Sequence, residues 1–324
     1  MQLKANSAIP RLIRPFLNLI SLVFKSISFI HIKIKALRQK EFPLLFIISV
    51  DSLSFGGTGK TPLVMAIGRA LEKKGARFAI ISRGYRSRFE KRGTCVQAGH
   101  SCQDVGDEPL LLKTIFPARD VFIGRDRLRS VAAAAAANNR ILILDDGLQS
   151  SHIKKDFSIM LVNPGHPYFY LRHFKFMRRR ADHVLTYMPA GQAPGPVPAG
   201  TYGFVIEKFV DAAGREVAIG AAPIVAFSAL GDNDRFENDM RRYRLAAFRA
   251  YPDHHAFTPA DLSSLESLRT AKGADWLACS EKDFCKIKSF LPGAIPLLVA
   301  RNEIRLPHDA IKQIINHAAE KGFI

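Results

Sequence analysis

Apolar positions along the chain fall into short unbroken runs, separated by stretches with helical spacing. LLFIISV at Leu44–Val50, FAIIS at Phe78–Ser82, VFI at Val121–Ile123, ILIL at Ile141–Leu144 and SIMLV at Ser158–Val162 each read as a strand buried on both faces. Between them the pattern predicts helices from Thr61 to about Gly75, from near Pro109, and over the alanine-rich Leu128–Asn138. Continuous apolar strands alternating with helices imply a P-loop NTPase-like α/β fold. Its parallel sheet is covered on both faces and binds ligand at the carboxyl ends of the strands. PAGQAPGPVPAG at Pro189–Gly200 interrupts the pattern with Pro and Gly. Beyond it, PIVAF at Pro223–Phe227, a helix near Asp234–Arg244, another from Thr258 to about Ala271 and the strand DWLA predict a smaller C-terminal α/β domain. The expected division is a leader over 1–41, a P-loop domain over 42–190 and the smaller domain over 191–324.

The leader adds an element of another kind. Between Ile9 and Lys40 the polar residues Arg14, Asn18, Ser21, Lys25, Ser28 and Lys35 recur at steps of three, four or seven. A helix here carries one narrow polar stripe and a broad apolar face. Its longest uncharged stretch, PFLNLISLVF, is ten residues, against about 20 for a bilayer span. A signal peptide would need a small-residue cleavage site where the chain reads KIKALRQK. A buried core helix stays open as an alternative, but the recurring basic residues favour an amphipathic helix lying in a membrane interface.

Composition alters this picture only through charge. The 324 residues are 48% hydrophobic and 23% charged, which excludes a disordered chain, while 47 Lys+Arg against 29 Asp+Glu leave a net charge of +18. That balance calls for an anionic partner. With no zinc knuckle or other nucleic-acid signature, the expected partner is an anionic membrane surface and no nucleic acid. Cys95, Cys102, Cys279 and Cys285 form no CxxC pair and read as free thiols in a reducing compartment.

The candidate chemistry begins at FGGTGKTP, directly after the first strand. Ser54, Phe55, Gly56, Gly57, Thr58, Gly59, Lys60 and Thr61 form a Walker A loop in which Ser54 stands where the first glycine belongs. Backbone N–H groups of such a loop cradle phosphates, Lys60 supplies positive charge, and the Thr61 hydroxyl reaches Mg²⁺. Asp145 and Asp146 end the strand ILIL, as a Walker B carboxylate does, although two aspartates before Gly147 also suit a turn. In GDEP, Asp107 and Glu108 precede a helix that Pro109 opens, so Asp107 is either functional or a helix N-cap. PDHH places His254 and His255 beside Asp253 in a loop of the second domain.

In this order GGTGKTP, SRGY, VGDEP, RDR, DDGLQ, PDHH and SEKD resemble the tetraacyldisaccharide 4′-kinase family, over about Pro43 to Ile304. The resemblance implies transfer of the ATP γ-phosphoryl group, with Mg²⁺, to the 4′-hydroxyl of a lipid-linked glucosamine disaccharide 1-phosphate in lipid A biosynthesis. It places the enzyme peripherally on the cytoplasmic face of the bacterial inner membrane. It implies that Asp107, His254 and Lys60 are catalytic, that Arg83 and Arg127 lie at the phosphate site, and that Thr61, Glu108, Asp145 and Asp146 surround the metal. Three departures stand out. Asp51 and Ser52 replace a usual Gly and Asn, putting a carboxylate near the phosphates; Ser150 replaces a common His; and YFYLRHFKFMRRRADH at Tyr168–His183 replaces an LPAGPLRE-like segment. Arg172 and Arg178 to Arg180 are therefore all candidates for the acceptor-contacting arginine. The alternative is a membrane-associated regulatory P-loop ATPase, whose loops carry a lysine where Phe55 stands.

Overall fold

The computed structural model describes residues 13–189, 197–293 and 295–324. The first residues of the leader and most of the Pro/Gly-rich stretch lie outside them. By contacts the chain forms two units, Phe204–Glu303 and the described part of Leu3–Gly203 together with Ile304–Ile324. The chain passes from one to the other within strands, at Gly203 and again at Glu303, and not at the Pro/Gly-rich stretch. The last segment, assigned from sequence to the smaller domain, therefore packs with the P-loop unit.

The larger unit opens with helix α1 (Arg14–Ala36), followed by β1 (Phe46–Ser52), α2 (Lys60–Lys73), β2 (Phe78–Ser82) and the short β3 (Thr94–Cys95). Then come α3 (Cys102–Val105), α4 (Asp107–Ile115), β4 (Asp120–Ile123), α5 (Arg127–Ala136), β5 (Ile141–Asp145), β6 (Phe157–Val162) and β7 (His183–Tyr187). The sheet order is β7-β6-β1-β5-β2-β4-β3, parallel except for the β3–β4 pair. Alternation along β1 explains how the sheet is covered. Ile47 joins a core with Val131 and Ala134 of α5, while the Phe46 ring meets His317 from the C-terminal helix on the opposite face. Every strand expected in this unit forms, and β5 lies beside β1 with Val50 opposite Asp145.

In the smaller unit β8 (Thr201–Asp211) leads through β9 (Glu216–Val217) to β10 (Ile224–Ser228), α6 (Asn233–Met240) and β11 (Leu245–Ala250). The chain continues through α7 (Pro259–Ala271), β12 (Trp276–Ser280), α8 (Glu281–Ile287) and β13 (Leu297–Arg305) to the C-terminal α9 (His308–Glu320). Strands β11-β10-β12-β13 pair in parallel in that order. The helix expected over Asp234–Arg244 stops at Met240, and β11 follows where no strand is apparent in the sequence.

Helix α1 is 23 residues, long enough to cross a bilayer, yet its two faces are used in an inverted way. The polar stripe is the buried side: the Lys25 ammonium donates to the Tyr168 carbonyl at 2.6 Å, and Ser21 donates to the same oxygen at 3.4 Å. Ser28 pairs with His173 and Lys35 donates to the Gln149 carbonyl. Phe16, Leu19, Ile20, Val23, Ile27, Ile30 and Ile34 face outward, each more than half exposed. This arrangement is not that of a core helix.

Candidate active site

Two left-handed backbone positions shape the phosphate loop. Gly57 and Gly59 take φ of 73° and 88°, which side chains resist, so the chain turns from β1 into α2 with its N–H groups unencumbered. Ser54, at the missing-glycine position, is buried; its N–H donates to Ser52 Oγ and its own hydroxyl pairs with His166 Nδ1 at 2.7 Å. The Thr58 carbonyl accepts from the buried Tyr202 hydroxyl at 2.8 Å. Phe55 N–H donates to Tyr170 O, and the Phe55 ring packs against Phe24 of α1 at 5.3 Å.

Beside this loop, Asp145 and Asp146 occupy the end of β5. Asp145 Oδ2 accepts from Ser82 Oγ at 3.0 Å, and Asp146 Oδ2 accepts from Arg172 Nη1 at 2.6 Å. The remaining Oδ1 of each is buried with no hydrogen-bond partner. Burial, then the Glu108 carboxylate, pushes Asp145 well above the usual carboxylate range. Burial opposes ionisation of Asp146 too, but Lys60 and then Arg172 hold it down at about 2. Lys60 and Glu108 are thus both within electrostatic reach of the pair.

Arg172 was one of several possibilities in the sequence; here it is mostly buried and paired with Asp146, whereas Arg178 to Arg180 are exposed. Asp51 departs from expectation in the other direction. Its carboxylate is buried, accepts from Leu148 N at 2.5 Å and from Ser49 Oγ at 2.7 Å, and so braces the DDGLQ turn instead of facing phosphates.

Glycines bring the SRGY and GDEP loops together. Gly84 has φ of 62° and a side chain there would meet the Val105 carbonyl at 2.9 Å; one at Gly106 would lie 3.5 Å from the Gly84 backbone. Gly106, not Asp107, is the N-cap of α4, with no side-chain cap, so Asp107 begins the helix without serving as its cap. Arg127 is buried and donates to the Ser82 and Gly124 carbonyls, under the electrostatic influence of Asp145 and Asp146. Arg83 instead pairs with Glu90 at 2.7 Å and lies over the Tyr85 ring.

In the smaller unit the two histidines differ. His255 stacks on Tyr251 at 4.7 Å, meets Phe257 edge-on and pairs with Asp261 at 3.2 Å. His254 has φ of 60°, an uncommon left-handed backbone for a side chain, and is 37% exposed with its Nε2 3.7 Å from Asp253. SEKD is structural: Ser280 caps α8, and the fully buried Asp283 accepts from Ser280 Oγ, Ala229 N and Lys286.

Among the described residues, no group of three or more His, Cys, Asp or Glu side chains could hold a metal by itself. Mg²⁺ keeps water and binds one or two carboxylates plus substrate phosphates. The orphaned Oδ1 atoms of Asp145 and Asp146, beside a phosphate loop, are acceptors of that type.

The family model described as tetraacyldisaccharide-1-P 4′-kinase matches residues 13–320. A tetraacyldisaccharide 4′-kinase of Methylobacterium nodulans is 32% identical over 267 residues, covering 78% of this chain and 77% of its own length. Another, from Geobacter metallireducens, is 33% identical over 264 residues, covering 74% and 78%. The crystal structure of the "apo" form of LpxK from Aquifex aeolicus, in complex with ATP, superposes with a TM-score of 0.73 at 25% identity, covering 94% of this chain and 98% of that one.

Proposed function

This chain belongs to the tetraacyldisaccharide-1-P 4′-kinase family and is a kinase of lipid A biosynthesis; we propose that it moves the ATP γ-phosphoryl group to the 4′-hydroxyl of a tetraacylated glucosamine disaccharide 1-phosphate. The observation that carries the site assignment is the pair of unpartnered buried oxygens on Asp145 and Asp146, set beside the strand that feeds the GGTGKT loop. Family membership speaks against the regulatory ATPase alternative.

Phosphoryl transfer needs positioning and charge neutralisation more than covalent participation. Ser54 to Thr61 cradle the ATP phosphates through backbone N–H groups, and Lys60 neutralises charge on the departing side. Mg²⁺, held by Thr61, Asp145 and Asp146 with Glu108 nearby, would supply Lewis-acid charge stabilisation to the phosphates. Arg127, fixed by two carbonyls, lies within electrostatic reach of Asp145 and Asp146, and Lys60 together with Arg172 keeps Asp146 ionised. The Glu90 pairing of Arg83 is weaker support for a phosphate role. The GDEP resemblance makes Asp107 a catalytic carboxylate at the sugar hydroxyl. The PDHH resemblance assigns His254 to the acceptor side, and the engagement of His255 in its aromatic stack supports choosing His254.

The reading extends to location. The outward apolar face of α1 supports a helix lying in the membrane interface, since the stripe bonded to the protein body keeps the helix alongside it. The face concerned is the cytoplasmic one, where ATP is available. Of the five basic residues from Lys25 to Lys40, Lys25 and Lys35 are engaged with backbone carbonyls, while Lys33, Arg38 and Lys40 are exposed and available to anionic lipid. The test is incubation with labelled ATP, Mg²⁺ and tetraacyldisaccharide 1-phosphate in detergent. A labelled bisphosphorylated lipid is the expected product, and ATP hydrolysis without it would defeat the proposal.

A further inference from the structure

The segment that replaces the LPAGPLRE-like stretch contains a feature the reaction does not use. From Lys175 to Arg180 it forms a 3-10 helix whose one buried side chain is Met177. Phe176 is 50% exposed, and Lys175, Arg178, Arg179 and Arg180 are exposed as well. Among the described residues, no carboxylate pairs with any of the three arginines, and residues 164–181 contain no Asp or Glu. Asp182, the nearest acid in sequence, accepts from the Ser158 N–H.

This segment packs on α1 at the half-buried Phe29, next to the outward-facing Ile30. The Phe29 ring meets Phe176 edge-on at 5.5 Å and Phe174 at 6.2 Å, and Phe174 and Phe176 stack at 5.4 Å with planes 12° apart. The Lys33 ammonium lies over the Phe29 ring, 5.7 Å from its centroid. α1 itself contains no acidic residue. An exposed aromatic at the edge of an apolar helix face, followed by unpaired arginines, is the chemistry of a headgroup boundary: ring toward the acyl chains, guanidinium groups toward phosphates.

We infer that Lys175–Arg180 is a second membrane anchor, in which Phe176 enters an anionic leaflet beside α1 and Arg178, Arg179 and Arg180 bind lipid phosphates. The inference rests on the interfacial reading of α1 given above. It gives the membrane-facing surface breadth as well as length, because two elements, joined through Phe29, contact the leaflet.

The full-length chain tests this with vesicles of phosphatidylcholine alone or mixed with phosphatidylglycerol. Each basic residue near an anionic surface is worth about fivefold in binding, so Arg178→Gln, Arg179→Gln and Arg180→Gln together weaken binding to mixed vesicles on the order of 100-fold. Binding to phosphatidylcholine alone changes little, and the melting temperature stays at the wild-type value because the three side chains are exposed. Separately, Trp276 is the single tryptophan; in a Trp276→Phe background, Phe176→Trp should be quenched by brominated acyl chains, as should Ile27→Trp in α1. Quenching at 27 but not at 176, or binding by the triple variant within about twofold of wild type, overturns the second anchor and leaves α1 standing. No quenching at either position removes both readings. Unchanged vesicle binding with a raised acceptor KM in micelles assigns the arginines to the acceptor site and also defeats the inference.

Discussion

Because burial lifts the Asp51 carboxyl to about 6, the folded protein holds a proton there that the unfolded chain, with an ordinary aspartate, gives up near 3.8. Between those values the folded state binds more protons, so this residue's contribution to stability falls as pH rises through the window. Above it, the cost reaches roughly 3 kcal/mol. Asp51→Asn keeps an acceptor for Leu148 N and offers Ser49 a donor, so denaturant unfolding should show a gain at pH 7 that shrinks toward pH 4. An equal gain at both pH values would mean the carboxylate is not the source. For Asp107→Ala, the glycine N-cap implies a loss below about 1 kcal/mol from the helix dipole, while turnover should drop by about 10² to 10⁴. Comparable damage to folding and chemistry would point to a structural role. His254→Ala should lower turnover with little change in melting temperature. His255→Ala should do the reverse, costing about 1 to 2 kcal/mol through its lost stack and Asp261 bond. Of these residues the sequence makes Asp107 and His254 visible through motifs. The Arg172–Asp146 pair is not legible there, because 26 residues separate its partners and a neighbouring run of arginines competes for the same reading.

At the scale of elements, legibility follows burial on two faces. β1, β2, β5 and β6 are unbroken apolar runs because helices cover both sides of the sheet. β11 reads LAAFRA with Arg249 inside it and no residue fully buried, so it lacks both a run and a clean alternation. The motif glycines are legible as motif letters, but their reason is steric and appears only when two loops are seen together. Gly84→Ala combines a left-handed backbone with a collision against the Val105 carbonyl, costing about 1 to 3 kcal/mol. Relief requires the SRGY and GDEP loops to separate, carrying Asp107 with them. Turnover should therefore fall by more than tenfold in protein that remains folded at assay temperature. Unfolding without a kinetic defect in the folded fraction would disconnect the two loops functionally.

For the whole molecule, a net charge of +18 is read from composition at once, but where it acts is not. The five basic residues from Lys25 to Lys40 divide, Lys25 and Lys35 against backbone carbonyls and Lys33, Arg38 and Lys40 outward, and of these five only the outward ones are available to lipid. Lys33→Gln, Arg38→Gln and Lys40→Gln together should weaken binding to anionic vesicles on the order of 100-fold, with added salt having the same effect on wild type. Lys25→Gln should leave vesicle binding almost unaltered and instead lower the melting temperature. Vesicle sedimentation beside thermal melts separates the two, and a large binding loss from Lys25→Gln alone would contradict the inward placement of the stripe. The inverted helix also bears on how the enzyme can be handled in water. Cutting α1 away would strip a wall from the phosphate loop, leaving Phe55 without Phe24 and the Tyr168 carbonyl without its Lys25 and Ser21 donors. Repainting the outer surface is the sounder route: Leu19, Val23, Ile27, Ile30 and Ile34 changed to Gln or Glu, with Ser21, Lys25 and Ser28 untouched, should yield a detergent-free monomer that still phosphorylates a short-chain, micelle-free acceptor.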